Sequence, residues 1–216
     1  MRAVTQTFFN VVDSPSKAYV LGFFVADGNI HYHHHKIQRT PGYSLSFSSN
    51  DNAHLELIRG LLKSEHTIRK HGDNCFQLVI GSKRLVAALA NLGYTNRKSY
   101  EAHMPQLDSA LIPHFVRGVF DGDGCITRAF RAKDRVSYPV VDFNGTERLL
   151  LSMLQVLPAT SRLKRVKPNL CRLSFSQRKA FSVLDWMYQE STGLRLARKY
   201  ARYIEAQEKR GFYART

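Results

Sequence analysis

HFVRGVFDGDGCI, residues 114–126, repeats the pattern of AYVLGFFVADGNI, residues 18–30. A shift of 96 residues lays Asp123 on Asp27 and matches apolar residues and glycines on either side. Each copy has the apolar composition of a buried helix and then ends in acid and glycine. A chain that carries this pattern twice is a candidate tandem duplication.

Small residues recur four positions apart in both copies, which places them on one helix face. They are Gly22 and Ala26 in the first copy, and Gly118 and Gly122 in the second. Small residues let two backbones approach closely, so we expect the two helices to pack against each other. That packing would bring Asp27 and Asp123 together at the helix ends. Gly28 and Gly124 follow the acids, and we expect them to adopt the left-handed conformation that often ends a helix.

Strand-like segments repeat with nearly the same spacing. Residues 43–51 lie on residues 139–147 at the 96-residue shift, and residues 76–84 lie on 171–179 at a shift of 95. In the first of these segments apolar residues alternate with serine, which indicates a strand with one buried face and one wet face.

The duplication divides the chain into two halves, residues 1–105 and 106–216. Each half reads helix–strand–strand–helix–strand–strand–helix. This order predicts an α+β fold, a pseudo-twofold tandem repeat in which helices cover one face of each sheet.

The composition favours an intracellular protein that binds a polyanion. The net charge is +15, with 12 basic against 8 acidic residues in 1–108 and 20 against 9 in 109–216. Such an excess attracts nucleic acid, although a basic ribosomal or membrane-surface protein would share it. No apolar run approaches the ~18 residues of a membrane span. Neither a signal-peptide pattern nor a disulfide framework is evident from the three cysteines, so we expect no secretion.

Two carboxylates held close together repel each other unless a cation lies between them. Mg²⁺ suits such a pair, because it takes one or two carboxylates and leaves room for water and phosphate oxygens. In a basic protein this combination suggests phosphodiester cleavage. The alternative is that the acids merely end helices, where the partial negative charge of the helix C-terminus disfavours them.

VLGFFVADG and VRGVFDGDG resemble the motif of the LAGLIDADG homing endonucleases in their two-motif, single-chain form. Two further segments look like those that flank this motif in the family, NRKSYEAHMP and WMYQESTGLRLARKYARYI. The resemblance implies that the motif helices form the interface between two saddle-shaped antiparallel sheets, which lie along the major groove of double-stranded DNA. It further implies a monomer that cuts both strands of a long asymmetric target across the minor groove and leaves short 3′ overhangs.

The resemblance also assigns the metal site. The last acid of each motif binds the metal, which carries over to Asp27 and Asp123, and the carbonyls of Ala26 and Gly122 join them. The expected cofactor is Mg²⁺, with Mn²⁺ as a substitute and Ca²⁺ supporting binding without fast cleavage. Asp121 matches an earlier acidic position of the motif, where the first copy has Val25, so we do not expect it to be catalytic.

Further catalytic positions carry over from the family less directly. A basic residue should follow the last strand of each half: Lys83 in the first, and Arg178 or the adjacent Lys179 in the second. Such a residue would stabilise the transition state or polarise the attacking water; the alternative is a surface cation at a helix start. Asp51 and Glu147 match a position that organises water in the family, but they equally suit the first turn of a helix.

Strand alternation predicts which side chains face the DNA. In the first half they are His31, His33, His35, Ser44, Ser46, Ser48, Arg69, His71 and Gln77. In the second half they are Thr127, Arg131, Lys133, Arg135, Asp142, Asn144, Arg162, Lys164, Arg172 and Ser174. Such side chains bond base edges and phosphates. The HYHHH run invites a zinc interpretation, but no second cluster completes a zinc ligand set.

The sequence therefore predicts a magnesium-dependent, site-specific DNA endonuclease. Two other functions on the same fold remain open at this point, an RNA intron maturase and a catalytically silent DNA-binding module.

Overall fold

Two four-stranded antiparallel sheets, one in each half of the chain, flank a central pair of helices. The computed structural model describes residues 2–33, 42–96, 101–131 and 136–210. The strand order is β1-β2-β4-β3 in the first sheet and β5-β6-β8-β7 in the second. The predicted α+β duplication is thereby confirmed.

The first half contains α1 (Pro15–Asp27), β1 (Gly28–His33), β2 (Gly42–Ser49), α2 (Asn52–Leu61), β3 (Ile68–Lys70), β4 (Phe76–Gly81) and α3 (Lys83–Asn91). The second half contains α4 (Ile112–Asp123), β5 (Cys125–Arg131), β6 (Val136–Gly145), α5 (Glu147–Leu154), β7 (Lys164–Lys167), β8 (Leu170–Ser176) and α6 (Gln177–Tyr188). A 3₁₀ turn (Ser109–Leu111) precedes α4, and a further helix, α7 (Ala197–Glu208), follows α6. None of the helices described is long and apolar enough to cross a membrane.

The motif helices α1 and α4 are buried on all sides. In α1 every residue from Ala18 to Val25 is buried, and in α4 every residue from His114 to Asp121. A helix without a polar face requires partners all round it. Here α1 and α4 pack along each other and against the sheets.

The closest approach of the two helices is at Gly22 and Gly118. A Cβ atom on Gly22 would lie 2.0 Å from the carbonyl oxygen of Phe115, and one on Gly118 would lie 2.1 Å from that of Tyr19. Real Cβ atoms essentially never lie within 3.0 Å of such a neighbour. The predicted packing of the motif helices through small residues is confirmed, because only glycine leaves room for backbone against backbone.

The glycines that follow the motif helices differ from the expectation. Gly28 has φ −88° and Gly124 has φ −85°, both extended rather than left-handed. The chain passes directly from the helix into the first strand of the sheet. Glycine is needed for space, since a Cβ at either position would lie 2.2 Å from the ring of Phe24 or Phe120.

Candidate active site

The acidic ends of the two motif helices meet, as predicted. A Cβ on Gly122 would lie 2.3 Å from the Cβ of Ala26 and 3.4 Å from Oδ2 of Asp27. The Asp27 carboxylate therefore lies against the last turn of α4, which Asp123 ends. Asp27 is partly buried and Asp123 is exposed. The pair opens to solvent at the junction of the two halves.

The oxygen atoms gathered here fit a magnesium ion that also binds substrate. They are the carboxylates of Asp27 and Asp123 and the carbonyl of Ala26, whereas the carbonyl of Gly122, the other predicted ligand, accepts a hydrogen bond from Lys199. Across the described ranges no three His, Cys, Asp or Glu side chains come together in a group that could hold a metal by itself. A pair of carboxylates without a third ligand suits Mg²⁺, which keeps several waters and takes phosphate oxygens from the substrate.

Lys199 is a cation that the structure places at the last turn of α4, and the sequence did not single it out. Its ammonium group donates to the carbonyls of Phe120 at 2.6 Å, Asp121 at 2.8 Å and Gly122 at 3.2 Å. These carbonyls are at the C-terminus of α4, where the helix dipole favours a cation. Burial lowers the pKa of Lys199 to about 8, although the negative charge of Asp121 opposes the shift.

A sequence signal for this lysine exists in the flanking segments. NRKSY (96–100) and LARKY (196–200) share an Arg-Lys pair at a spacing of 101 residues, so Lys199 corresponds to Lys98. This spacing differs from the 95 or 96 residues that separate equivalent strands, so the strand repeat does not predict the pair. Lys98 lies outside the described residues.

Asp121 is buried rather than exposed to a substrate. Its Oδ2 accepts hydrogen bonds from Tyr19 Oη at 2.8 Å and from the backbone N–H of Leu196 at 2.7 Å. Burial raises its pKa to about 6, and the two hydrogen bonds oppose that shift. These contacts agree with the expectation that Asp121 is not catalytic.

Lys83 lies away from the acidic pair. It is the first residue of α3, and its ammonium is 5.8 Å from the ring centre of Tyr43. Gly28, next to Asp27, pairs with Phe47, four residues further along β2 from Tyr43. Four residues of a strand span ~13 Å. The structure therefore does not group Lys83 with the acids, and its catalytic role remains a prediction.

Arg178 and Lys179 belong to the sheet surface. Both are exposed in the first turn of α6, and Lys179 donates to the carbonyl of Thr160 at 2.8 Å. With Arg162 and Ser174 they line a cavity of about 390 Å³. The two cations are therefore placed with the predicted DNA-facing residues, and their catalytic role also remains a prediction.

Asp51 and Glu147 both stand at helix starts. The Asp51 carboxylate caps α2 by accepting from the backbone N–H of His54 at 3.3 Å. Glu147 begins α5 and pairs with Arg165 at 2.7 Å. These contacts support the helix-start interpretation. A polar side chain of the second sheet, Asn144, contacts a motif acid instead: it donates to the backbone carbonyl of Asp123 at 3.0 Å.

In the first sheet, alternation separates the core from the predicted DNA face. Leu45, Phe47, Leu78 and Ile80 are buried on one side. His31, Ser44, Ser46, Ser48 and Gln77 share the other by register, and Arg69 pairs with Gln77. His71 follows β3 and is exposed.

Two of the three serines, however, are buried rather than exposed to solvent. Ser44 is 5% exposed and Ser46 is 1% exposed. His31 lies opposite Ser44 in the register and is hydrogen-bonded to the Ser46 hydroxyl at 3.1 Å. The predicted direct contact of Ser44 and Ser46 with DNA is therefore corrected, because both side chains are buried. His31 and Ser48 are the more accessible groups of this row. His33 ends β1, whereas His35 falls outside the described residues.

The second sheet presents a polar row on the face opposite its core. The register places Thr127, Asp142, Asn144, Lys164, Arg172 and Ser174 together. Arg172 donates to Asn144 at 3.0 Å, and Ser174 donates to Asp142. The row is thus pre-ordered by cross-strand bonds and connects to Asp123 through Asn144. Arg131 ends β5, and Lys133 and Arg135 fall outside the described residues.

Comparison with solved structures supports the fold described above. No protein-family model and no curated protein matches the chain. Among solved structures, the meganuclease I-SmaMI bound to uncleavable DNA matches with a TM-score of 0.66 and 13% identity, covering 90% of this chain and 89% of that one. The LAGLIDADG meganuclease I-AabMI bound to uncleaved DNA matches with a TM-score of 0.64 and 15% identity, covering 92% and 91%.

The I-LtrWI LAGLIDADG homing endonuclease bound to target DNA matches over 94% of this chain and 98% of that one, with a TM-score of 0.57 and 13% identity. At such identities the likeness establishes the fold. The chain thus has the two-motif fold of the LAGLIDADG homing endonucleases, as the repeated sequence predicted.

Proposed function

We propose that this protein is a site-specific endonuclease that cuts both strands of double-stranded DNA. The observation that carries the proposal is the meeting of the helix ends that carry Asp27 and Asp123, with Lys199 bound to the last turn of α4, at the junction of two sheets that each carry a polar face. A silent binding module would not require carboxylates and a buried ammonium at this point. The neighbours bound to DNA support the same conclusion.

The sheets supply binding and register. Side chains such as Arg172 reach outward from strands in which every second residue is in the core, so their spacing follows the strand. Arginine reads guanine bidentately in the major groove, while lysines bind phosphates without sequence preference. Because the halves differ in sequence and charge, we expect an asymmetric target, bound by one copy of the chain.

The acids and the lysine would supply the chemistry. Asp27 and Asp123 would hold Mg²⁺, which lowers the pKa of a water and neutralises charge on the phosphate. The three N–H donors of Lys199 are taken by the α4 carbonyls, so its positive charge would stabilise the negative charge of the transition state through space. The water oxygen bonds to phosphorus, the bond to the sugar oxygen breaks, and that oxygen takes up a proton. We expect the product ends to be short 3′ overhangs.

The test begins with a randomised DNA library incubated with the protein in Mg²⁺, from which cleaved molecules are sequenced. One recurring cleaved sequence is the expected result. On that target, Asp27→Asn and Asp123→Asn should each abolish double-strand cleavage, because a neutral amide is a poor Mg²⁺ ligand. Binding in Ca²⁺ should be retained, since the substitutions preserve the helix packing.

Specific binding without any cleavage by the wild type would contradict the proposal and favour a silent module. Binding and splicing of an intron RNA without DNA cleavage would instead favour a maturase. Cleavage by Asp123→Asn at the wild-type rate in Mg²⁺ would contradict the assignment of the site.

A further inference from the structure

Helix α7 begins without a cap of its own. Its N-cap residue is Leu196, which has no side chain able to accept a hydrogen bond from the helix start. A carboxylate from another helix does so instead: Asp121 Oδ2, in the last turn of α4, accepts the backbone N–H of Leu196 at 2.7 Å. An acid at a helix start satisfies an unpaired N–H and complements the dipole.

Lys199 stands in the first turn of the helix that Asp121 caps. Its backbone N–H bonds to the Leu196 carbonyl at 3.1 Å, and its ammonium bonds to the Asp121 carbonyl at 2.8 Å. Asp121 therefore holds α7 at two points, by its carboxylate and by its own carbonyl. The two contacts fix the direction in which the lysine leaves α7.

Tyr19 completes the arrangement from the first half of the chain. Its hydroxyl donates to the same Oδ2 atom at 2.8 Å, so both hydrogen bonds converge on one oxygen. Oδ1 of Asp121 is buried without a hydrogen-bond partner. An asparagine could thus keep both contacts by placing its single carbonyl oxygen where Oδ2 lies, whereas an apolar residue could keep neither.

The motif helix of the first half has no acid at the position equivalent to Asp121. The 96-residue shift lays Asp121 on Val25, which is buried and has no side-chain acceptor. The two motif helices are otherwise similar in burial and in their glycine contacts. The difference makes the second half distinct from the first next to the acidic pair.

We propose that Asp121 is a positioning residue that sets the place of Lys199, so that cleavage of one DNA strand, the strand beside Lys199, depends on it. The proposal rests on the proposed function only for its catalytic consequence. The positioning itself is a property of the free protein.

The first measurement is made on the free protein and requires no nuclease activity. Lysines are labelled with an amine-reactive reagent, and the rate at Lys199 is compared by mass spectrometry with the rate at the exposed Lys63. Asp121→Val should raise the Lys199 rate at least tenfold relative to Lys63, because the ammonium is released from the carbonyls. Asp121→Asn and Tyr19→Phe, which keep the bond to Leu196, should change the ratio less than threefold.

The second measurement uses a target labelled on both strands in single-turnover cleavage. A misplacement of about 1 Å can cost ~10²-fold in rate. Asp121→Val should therefore slow one strand by about 10²-fold and the other by much less, while Asp121→Asn restores the wild-type ratio. The ratio of two rates in one molecule does not depend on the folded fraction, so loss of stability cannot produce the effect.

Equal slowing of both strands, or an unchanged labelling ratio in Asp121→Val, would overturn the proposal. If the labelling changes as expected but the wild-type protein cuts no DNA, the positioning stands and the proposed function fails.

Discussion

The substitution Gly118→Ala tests the crossing of the motif helices, on which the site depends. The added Cβ would lie 2.1 Å from the Tyr19 carbonyl, 2.7 Å from the backbone nitrogen of Phe23 and 3.0 Å from the Gly22 Cα. Ordinary contacts begin at 3.4 Å, so α1 and α4 must separate by about 1 Å. All three atoms belong to backbone and cannot turn aside as a side chain could.

Overpacking a core commonly costs ~1–3 kcal/mol, and we expect about 3 kcal/mol here because backbone must move. For a chain of this length each kcal/mol lowers Tm by about 2–4 °C, so the expected fall is about 6–12 °C. The same separation moves Asp27 away from Asp123. Cleavage by the folded protein should therefore fall by about 10²-fold, since catalytic geometry is sensitive to displacements of about 1 Å.

The matched control is Gly60→Ala in α2, where a Cβ would have no atom within 4 Å. Alanine should stabilise that helix by about 0.5–1 kcal/mol and leave cleavage unchanged. Thermal unfolding and single-turnover cleavage are measured for both variants. If Gly118→Ala unfolds at the wild-type temperature and cuts at the wild-type rate, the helices do not cross at this point and the inferred origin of the acidic pair is wrong.

Three other predictions concern the site and its surroundings. Lys199→Met should reduce the single-turnover rate by about 10²–10³-fold while leaving the affinity in Ca²⁺ within a few fold; an undiminished rate would remove Lys199 from the chemistry. Arg172→Ala should cost about 1–3 kcal/mol at one base pair, whereas Lys164→Ala should weaken all targets alike and reduce the salt slope of binding by about 1, as measured on single-base-substituted targets. Asp121 has a raised pKa, about 6 against 3.8, so it contributes stability that is present below ~pH 4 and lost as pH rises through 6. His54 has a lowered pKa, about 4 against 6.5, so it contributes stability that is present above pH 6.5 and lost as pH falls through 4. These two pH dependences have opposite signs, and Asp121→Asn lacks the first of them. As pH falls from 6 to 4, the free energy of unfolding of Asp121→Asn, measured in urea, should therefore fall by about 3 kcal/mol relative to wild type. Parallel pH profiles of the two proteins would contradict the raised pKa.

The sequence by itself determined the duplication, the order of elements, the contact of the motif helices and the faces of the strands. These properties are local or periodic. Glycine four residues before alanine or glycine marks one helix face, and alternation along β2 separates Leu45 and Phe47 from the serines whatever the rest of the chain does. The expected pairing of the acids followed from the same reasoning, because Asp27 and Asp123 each stand five residues after the glycine at which the helices touch.

The tertiary structure alone decided which charged groups surround that pair. Lys83 follows β4 as predicted, but the register of β2 places it at the far end of the sheet. Lys199 is distant in sequence from the α4 carbonyls that it binds, and no periodicity connects the two segments. The conformation of Gly28 and the burial of Ser46 also depended on neighbours, the ring of Phe24 and the imidazole of His31. A repeat in a sequence specifies similar backbones, whereas the groups that meet at their junction depend on how those backbones pack.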